Sequence, residues 1–356
     1  FHKILGAWHF GPELLLFLLA AEAGLLFVGA NTGFLGGPTV LANMAIDKWV
    51  PNRFQHLSNR LVTQNGIILF GLASLGILLL SKGEVSWLVI LYSINVFLTF
   101  TLAILGLCIY WWSKRHTEKV WRQRLALSLI GLLVSSGILV ITLISKFTYG
   151  GWVTITVTSI VILICLLIRK HYLQTAKQLK QLDNLFPPFK QTQKFAPLSL
   201  DPRQPTAAFM VGKNRGVTMH TLLWAQRMFP HHFKNFIFMS TGIVDVNSYE
   251  GQDKLEAMQK ETEQKLDYFV QYCHQHQQPT RTYCSYGTDP VKQLTELAKK
   301  ISIEYPNTIF FASKLIFHRD NWFNQILHND TAFSVQRKLH LKGIQLVILP
   351  IKIESN

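Results

Sequence analysis

The sequence predicts an α-helical membrane bundle followed by a cytosolic α/β domain, and three observations carry that reading. Apolar residues make up 49% of the 356 residues, yet the long apolar runs all end before residue 169. Lys and Arg gather in alternate connections between those runs. Beyond residue 205, short apolar stretches alternate with amphipathic ones. With 15% charged residues and a mean hydropathy of +0.21, the chain is too apolar for one water-soluble domain and too charged for a wholly embedded one.

A helix that crosses a bilayer needs roughly 20 apolar residues. Five stretches are expected to do so: 11–34, 66–81, 86–112, 125–146 and 150–168. The last contains threonines and a serine, whose hydroxyls can bond back to their own helix. The 35–65 connection sets Lys48, Arg53 and Arg60 against Asp47, and "SKRHTEKVWRQR" (113–124) sets five Lys or Arg against one Glu. After the fifth stretch, Arg169, Lys170, Lys177 and Lys180 stand against Asp183, whereas the connections on the other side are short and nearly neutral. The positive-inside rule then puts 35–65, 113–124 and everything after 168 in the cytoplasm, with residue 1 outside. A protein with a cytoplasmic N-terminus would need an odd number of further helices upstream. The chain opens on Phe1 without the pattern of a signal peptide and reads as a fragment whose beginning is missing.

The expected organisation is membrane helices over 1–168, a basic helix and proline-rich linker over 169–205, and an α/β domain over 206–356. The segment 185–205 holds five prolines. In the last part, 207–212, 235–243, 280–286, 308–313 and 344–351 read as strands, with helices at 217–229, 251–277, 290–304 and 320–341. That alternation predicts a parallel sheet covered by helices.

Polar residues inside the apolar runs are the candidates for chemistry. Glu22 sits mid-span, where a carboxylate costs a few kcal/mol and usually faces a bundle interior or a water-filled path. At 3.6 residues per turn it shares a face with Gly29 and Gly33, while Asn31 lies opposite, on the face of Gly24. The "GANTGFLGG" stretch (29–37) is expected either to pack closely against another helix or to end the span. Tyr92, Asn95 and Thr99 fall at i, i+3 and i+7, a polar stripe that can line a solute or cation path or bond to a neighbouring helix. Cys108, Cys165, Cys273 and Cys284 form no CxxC pair and read as reduced thiols. No nucleophile elbow, HExxH or Walker sequence is present, so neither an enzyme, a metal site nor an ATP-driven pump is expected, and no cofactor. The aromatic-poor basic loops do not point to nucleic acid.

Taken together, Ala30-Asn31-Thr32, "RLVTQNG" (Arg60 to Gly66), "LYSINVFLTFTL" (Leu91 to Leu102), "KFTYGGW" (Lys146 to Trp152) and His171-Tyr172 resemble the amino acid–polyamine–organocation (APC) superfamily of permeases, in particular the KimA-type group of potassium importers. The likeness runs colinearly over residues 10–175. It implies the last five helices, eight to twelve, of a twelve-helix LeuT-type inverted-repeat fold. It also implies a bilayer, a small solute or cation, a coupling ion and the missing N-terminal helices as partners. Glu22, Asn31, Thr32, Tyr92, Asn95 and Thr99 become the pathway candidates. Where the potassium group tends to carry Asp-Phe-Pro-Arg, this chain has Gly36-Gly37-Pro38-Thr39; Asn95 stands where that group often has Gly, and Ala103-Ile104 replace a Ser-Gln pair. The substrate is therefore open between potassium and an amino acid.

The tail resembles a universal-stress-protein-like domain by arrangement. It lacks the glycine-rich signature of nucleotide-binding members after the fourth strand, where "ASKLIFHRDNWFNQILHNDTAFS" contains no glycine. The turn "GKNRG", with Gly212, Lys213 and Gly216, is the candidate ligand loop, able to cradle phosphate at a helix N-terminus. His231, His232, His274 and His276 read as surface residues. The expected function is a secondary active, proton-coupled permease whose tail regulates it or pairs it into a homodimer. The alternative is a membrane-tethered sensor that does not transport.

Overall fold

The structure is a computed structural model that describes residues 11–58, 60–118, 120–187, 198–245, 251–317 and 331–353. Each expected span is helical: α1 is Gly11–Ile46, α2 Gln64–Leu80, α3 Val85–Ser113, α4 Trp121–Lys146 and α5 Trp152–Asn184. Among the described residues, three helical runs are long and apolar enough to cross a membrane: Glu13–Ile46, Val85–Ser113 and Trp121–Asn184, the last containing both α4 and α5. Their outward faces are hydrocarbon, with Leu25 75% and Phe27 76% exposed. Such surface suits lipid rather than water. At 17 residues α2 covers about 26 Å, somewhat less than a bilayer core of about 30 Å.

Between α4 and α5, Phe147–Gly151 forms a π-type turn in which Gly150 takes φ +110°. A Cβ there would also meet the Trp87 indole nitrogen at 2.5 Å. The glycine of "KFTYGGW" is therefore required by the backbone and by close approach. In the same unit, 71–167, α3 packs on α4, and the Thr101 and Ser135 hydroxyls meet at 3.0 Å.

The second unit joins residues up to Phe70 with those from Ile168 onward. Here the first expected boundary is corrected. α1 does not stop near residue 34 but continues through Gly36, Gly37 and Pro38 to Ile46. Backbone groups in an apolar setting have no water to bond, so helix continuation outweighs the low helix propensity of glycine. The small residues have a different use. A Cβ on Gly37 would lie 2.6 Å from the Phe70 ring, and one on Gly66 would lie 2.9 Å from Pro38 Cβ. Gly37-Pro38 thus admits the start of α2 at close range. By contrast, nothing described lies within 4 Å of a Cβ built on Gly24, Gly29 or Gly33.

α5 fuses the fifth apolar stretch with the basic segment into one helix of 33 residues, so the expected boundary at 168 is not a break. Much of the expected linker, 188–197, lies outside the described residues. In the tail, β1 (Thr206–Met210), β2 (Asn235–Ile243), β3 (Thr280–Gly287), β4 (Thr308–Phe317) and β5 (Leu346–Ile353) form one sheet in the order β3-β2-β1-β4-β5. All its pairings are parallel. Helices α6 (Arg215–Met228) and α7 (Gln252–Gln275) are joined by α8 (Pro290–Glu304) and α9 (Thr331–His340). The first eleven residues of the expected helix 320–341 lie outside the described residues.

Period-two alternation divides the core between the two faces of the sheet. Phe209, Phe238, Phe269 and Phe311 belong to one cluster with Met219 and Leu222 of α6 and Leu266 of α7. Ile237, Met239 and Phe310 face the other way, onto Leu297, Ala298 and Ile301 of α8 and Val335 and Leu339 of α9. Phe209 stacks between Phe238 at 5.5 Å and Phe311 at 5.3 Å, and is fully buried. Phe209→Ala is expected to destabilise the tail by about 3–5 kcal/mol through lost burial and a cavity. Scanning fluorimetry of the full chain in detergent reads this as a fall in the tail's melting temperature; an unchanged transition contradicts the assigned core.

Candidate functional site

The membrane candidates lie on two helices. Glu22, Asn31 and Thr32 are exposed positions on α1, and Thr32 Oγ1 donates to the Val28 carbonyl at 3.0 Å. Since α1 runs on to Ile46, Asn31 and Thr32 are mid-helix residues and cap nothing. On α3 the stripe stands as spaced: Asn95 Nδ2 donates to the Leu91 carbonyl at 3.1 Å, and Thr99 Oγ1 to the Asn95 carbonyl at 2.8 Å. Tyr92, at the start of the stripe, is exposed. Those local bonds satisfy the donors of the side chains in an apolar setting and do not use the acceptor lone pairs of their oxygens. Each set is placed on its own helix.

In the tail the strand order reverses direction between β1 and β4, the place where open parallel sheets bind ligands outside the carboxyl ends of their strands. A cleft of about 760 Å³ lies there. It is lined by Val211, Gly212 and Lys213 after β1, Ser240 to Ile243 at the end of β2, and Ala312 and Ser313 of β4. Four Lys or Arg (Arg53, Lys213, Lys254, Lys265) face it against two carboxylates, Asp245 and Glu261. Lys265 pairs with Glu261 at 2.6 Å. The cleft is therefore cationic and suits an anionic ligand.

The candidate ligand loop divides. Gly212 and Lys213 line the cleft, but Gly216 does not. Its N–H donates to Asp183 Oδ1 at 2.7 Å, and the Arg215 guanidinium donates to the Asp183 carbonyl at 3.2 Å. A Cβ on Gly216 would lie 2.7 Å from the Leu182 carbonyl oxygen. The N-terminus of α6, expected to hold phosphate, instead receives the carboxylate at the end of α5. The attraction is the one a phosphate would use, with an internal anion in its place.

One wall of the cleft comes from a part of the chain that the sequence did not mark. Asn52, Arg53, Gln55 and His56, from the connection between α1 and α2, also line it. Trp49 packs beneath the Arg169 guanidinium at 3.9 Å, and the Asn52 N–H donates to Tyr172 Oη at 3.3 Å. His56 forms an isolated antiparallel bridge with Asp245 beyond β2. Burial, then the neighbouring Lys213 charge, holds the His56 imidazole below its ordinary value of 6.5, against the opposing pull of Asp245. A lowered histidine disfavours the proton in the docked state. Docking is therefore fully supported above pH 6.5 and loses support as pH falls below it. Hydrogen exchange over residues 52–57, corrected for intrinsic rates, should quicken between pH 7.5 and 5.5. His56→Gln should abolish that dependence; equal dependence in both proteins contradicts it.

His231 and His232 are exposed, and His276 Nδ1 sits 2.8 Å from the Tyr272 carbonyl. Among the described residues no group of three metal-ligating side chains occurs. The four cysteines are free, and burial pushes the Cys273 thiol up to about 12.

Apolar helices long enough to cross a bilayer, followed by a doubly wound α/β tail, define a membrane protein with an appended α/β domain. Residues 9–168 match the family described as Amino acid permease. The Potassium transporter KimA of Bacillus subtilis (strain 168) is 32% identical over 175 residues, 49% of this chain and 28% of that transporter. The likeness to the permease family thus covers the membrane segment, somewhat less than half of the chain. The chain spans a little over a quarter of the length of the relative it matches.

Proposed function

We propose that the chain is the C-terminal part of a secondary active transporter that moves potassium or an amino acid, driven by protons. The observation that carries this reading is the colinear permease match over residues 9–168, with a potassium transporter among the similar proteins. Its five helices correspond to helices eight to twelve of a LeuT-type fold, with the tail in the cytoplasm. Glu22 serves as the protonatable group. Asn31, Thr32, Tyr92, Asn95 and Thr99 supply oxygens along the path, as polar groups on discontinuous or closely packed helices do in such folds. The tail carries regulation or pairs the protein into a homodimer.

The test is uptake by cells that express the complete reading frame containing this chain, in a host lacking its own potassium importers. Rubidium tracer uptake that excess potassium suppresses, and amino acids do not, assigns a potassium importer. Suppression by an amino acid assigns that substrate instead. Uptake of neither above the vector control contradicts the transporter reading.

The cationic cleft favours a second reading, a membrane-tethered module that senses an anionic cytosolic ligand through Gly212 and Lys213 without transport. Binding of a cyclic dinucleotide to the full chain, lost in Lys213→Ala, together with absent uptake, would support it.

A further inference from the structure

We infer that the connection between α3 and α4 is a docking site for the headgroup phosphate of an anionic glycerophospholipid. Three tryptophans and three arginines meet there. Arg124, from the first turn of α4, lies with its guanidinium carbon 4.7 Å from the Trp111 ring centre at the end of α3. Arg115 lies 5.4 Å over Trp112, and Arg122 lies 5.5 Å over Trp121. Trp112 and Trp121 meet edge to face at 6.4 Å, which closes the cluster across the two helices.

The geometry has a chemical consequence. A guanidinium lying on an indole face keeps its plane, while the N–H groups on its rim remain available in fixed directions. Arg115 spends its Nε–H on His116 Nε2 at 3.0 Å and retains its terminal amines. Among the described residues no carboxylate lies within ion-pairing distance of these three guanidiniums, and residues 113–118 and 122–124 are exposed. Rigid, forked and unneutralised donors match a phosphate diester, which accepts two parallel N–H bonds.

The position selects the source of that phosphate. The cluster sits where two apolar helices end, and indoles favour the headgroup level of a bilayer. A basic segment at that level gains from the negative surface of the cytoplasmic leaflet. The occupant is therefore a lipid such as phosphatidylglycerol. The inference rests on the membrane-spanning reading of α3 and α4, with their connection on the cytoplasmic side, but on neither transport nor substrate.

Native mass spectrometry of the full chain in detergent tests it, with dioleoyl phosphatidylglycerol or dioleoyl phosphatidylcholine added. Preferential retention of phosphatidylglycerol is expected. That preference should fall at least fivefold in the charge-conserving triple variant Arg115→Lys/Arg122→Lys/Arg124→Lys, which keeps the charge but loses the fork and the stacking. Lys177→Gln/Lys180→Gln should retain it. Equal retention of both lipids, an unaffected triple variant, or an equal loss in the Lys177/Lys180 control overturns the site. Displacement of the lipid by millimolar glycerophosphate would show a soluble anion as occupant and overturn it too. Carbonate extraction of expressing membranes separates the premise from the inference. A chain released by carbonate fails the membrane reading itself, whereas a chain retained without lipid preference fails only the docking site.

Discussion

Gly216→Val is expected to detach the end of α5 from the tail. The nearest obstacle to a side chain at 216 is the Leu182 carbonyl oxygen, at 2.7 Å from the first added carbon, and a backbone atom cannot swing aside. α5 must move, and the 2.7 Å bond from the Gly216 N–H to the Asp183 carboxylate is lost with it. Overpacking of this kind costs about 1–3 kcal/mol. Loss of a capping carboxylate adds about 1 kcal/mol. Amide exchange over 216–220 should therefore accelerate by about tenfold or more, since each 1.4 kcal/mol is a factor of ten. Asp183→Ala should show the smaller capping effect alone. Unchanged exchange in both variants would mean that the end of α5 does not hold α6.

The second large effect is expected on transport. Asn31→Leu, in the complete protein, should abolish uptake while the protein still reaches the membrane. The substitution is nearly isosteric, and nothing described crowds this face of α1, so the helix survives it. Only the amide is removed. Glu22→Gln should remove the response of uptake to an imposed proton gradient and leave the helix intact, because a neutral amide replaces an ionisable group at the same size. Normal uptake by the Asn31 variant, or an unaltered proton response in the Glu22 variant, would take these residues off the pathway.

Much of this architecture is legible in the residues themselves. The short apolar runs at 207–212 and 235–243 read as strands, and the pleat of a strand then sends successive residues to the two clusters on either face of the sheet. The polar stripe of Tyr92, Asn95 and Thr99 survives because helical periodicity is a local property. Three features were not legible, for a common reason. Glycines 36 and 37 look like a helix end, yet the cost of breaking backbone bonds in an apolar setting exceeds their weak propensity, and the contact that uses Gly37 comes from Phe70. Gly216 looks like part of a phosphate loop, yet its anion is Asp183, 33 residues earlier in the chain. His56 carries no motif at all; only the fold brings it to Asp245. Non-local partners decide each of these cases. An acidic residue ending a basic helix, as Asp183 does, is the one signal that could have pointed to a capped partner.

The most direct test of the whole account is tracer uptake into proteoliposomes that contain the purified product of the complete reading frame. Rubidium and a mixture of labelled amino acids would be offered with and without an inward proton gradient. The account predicts accumulation of one of them above its external concentration, only when the gradient is present, and its loss in Asn31→Leu. Uptake no greater than in protein-free vesicles, with and without the gradient, would contradict it and leave the helices as an anchor for the tail.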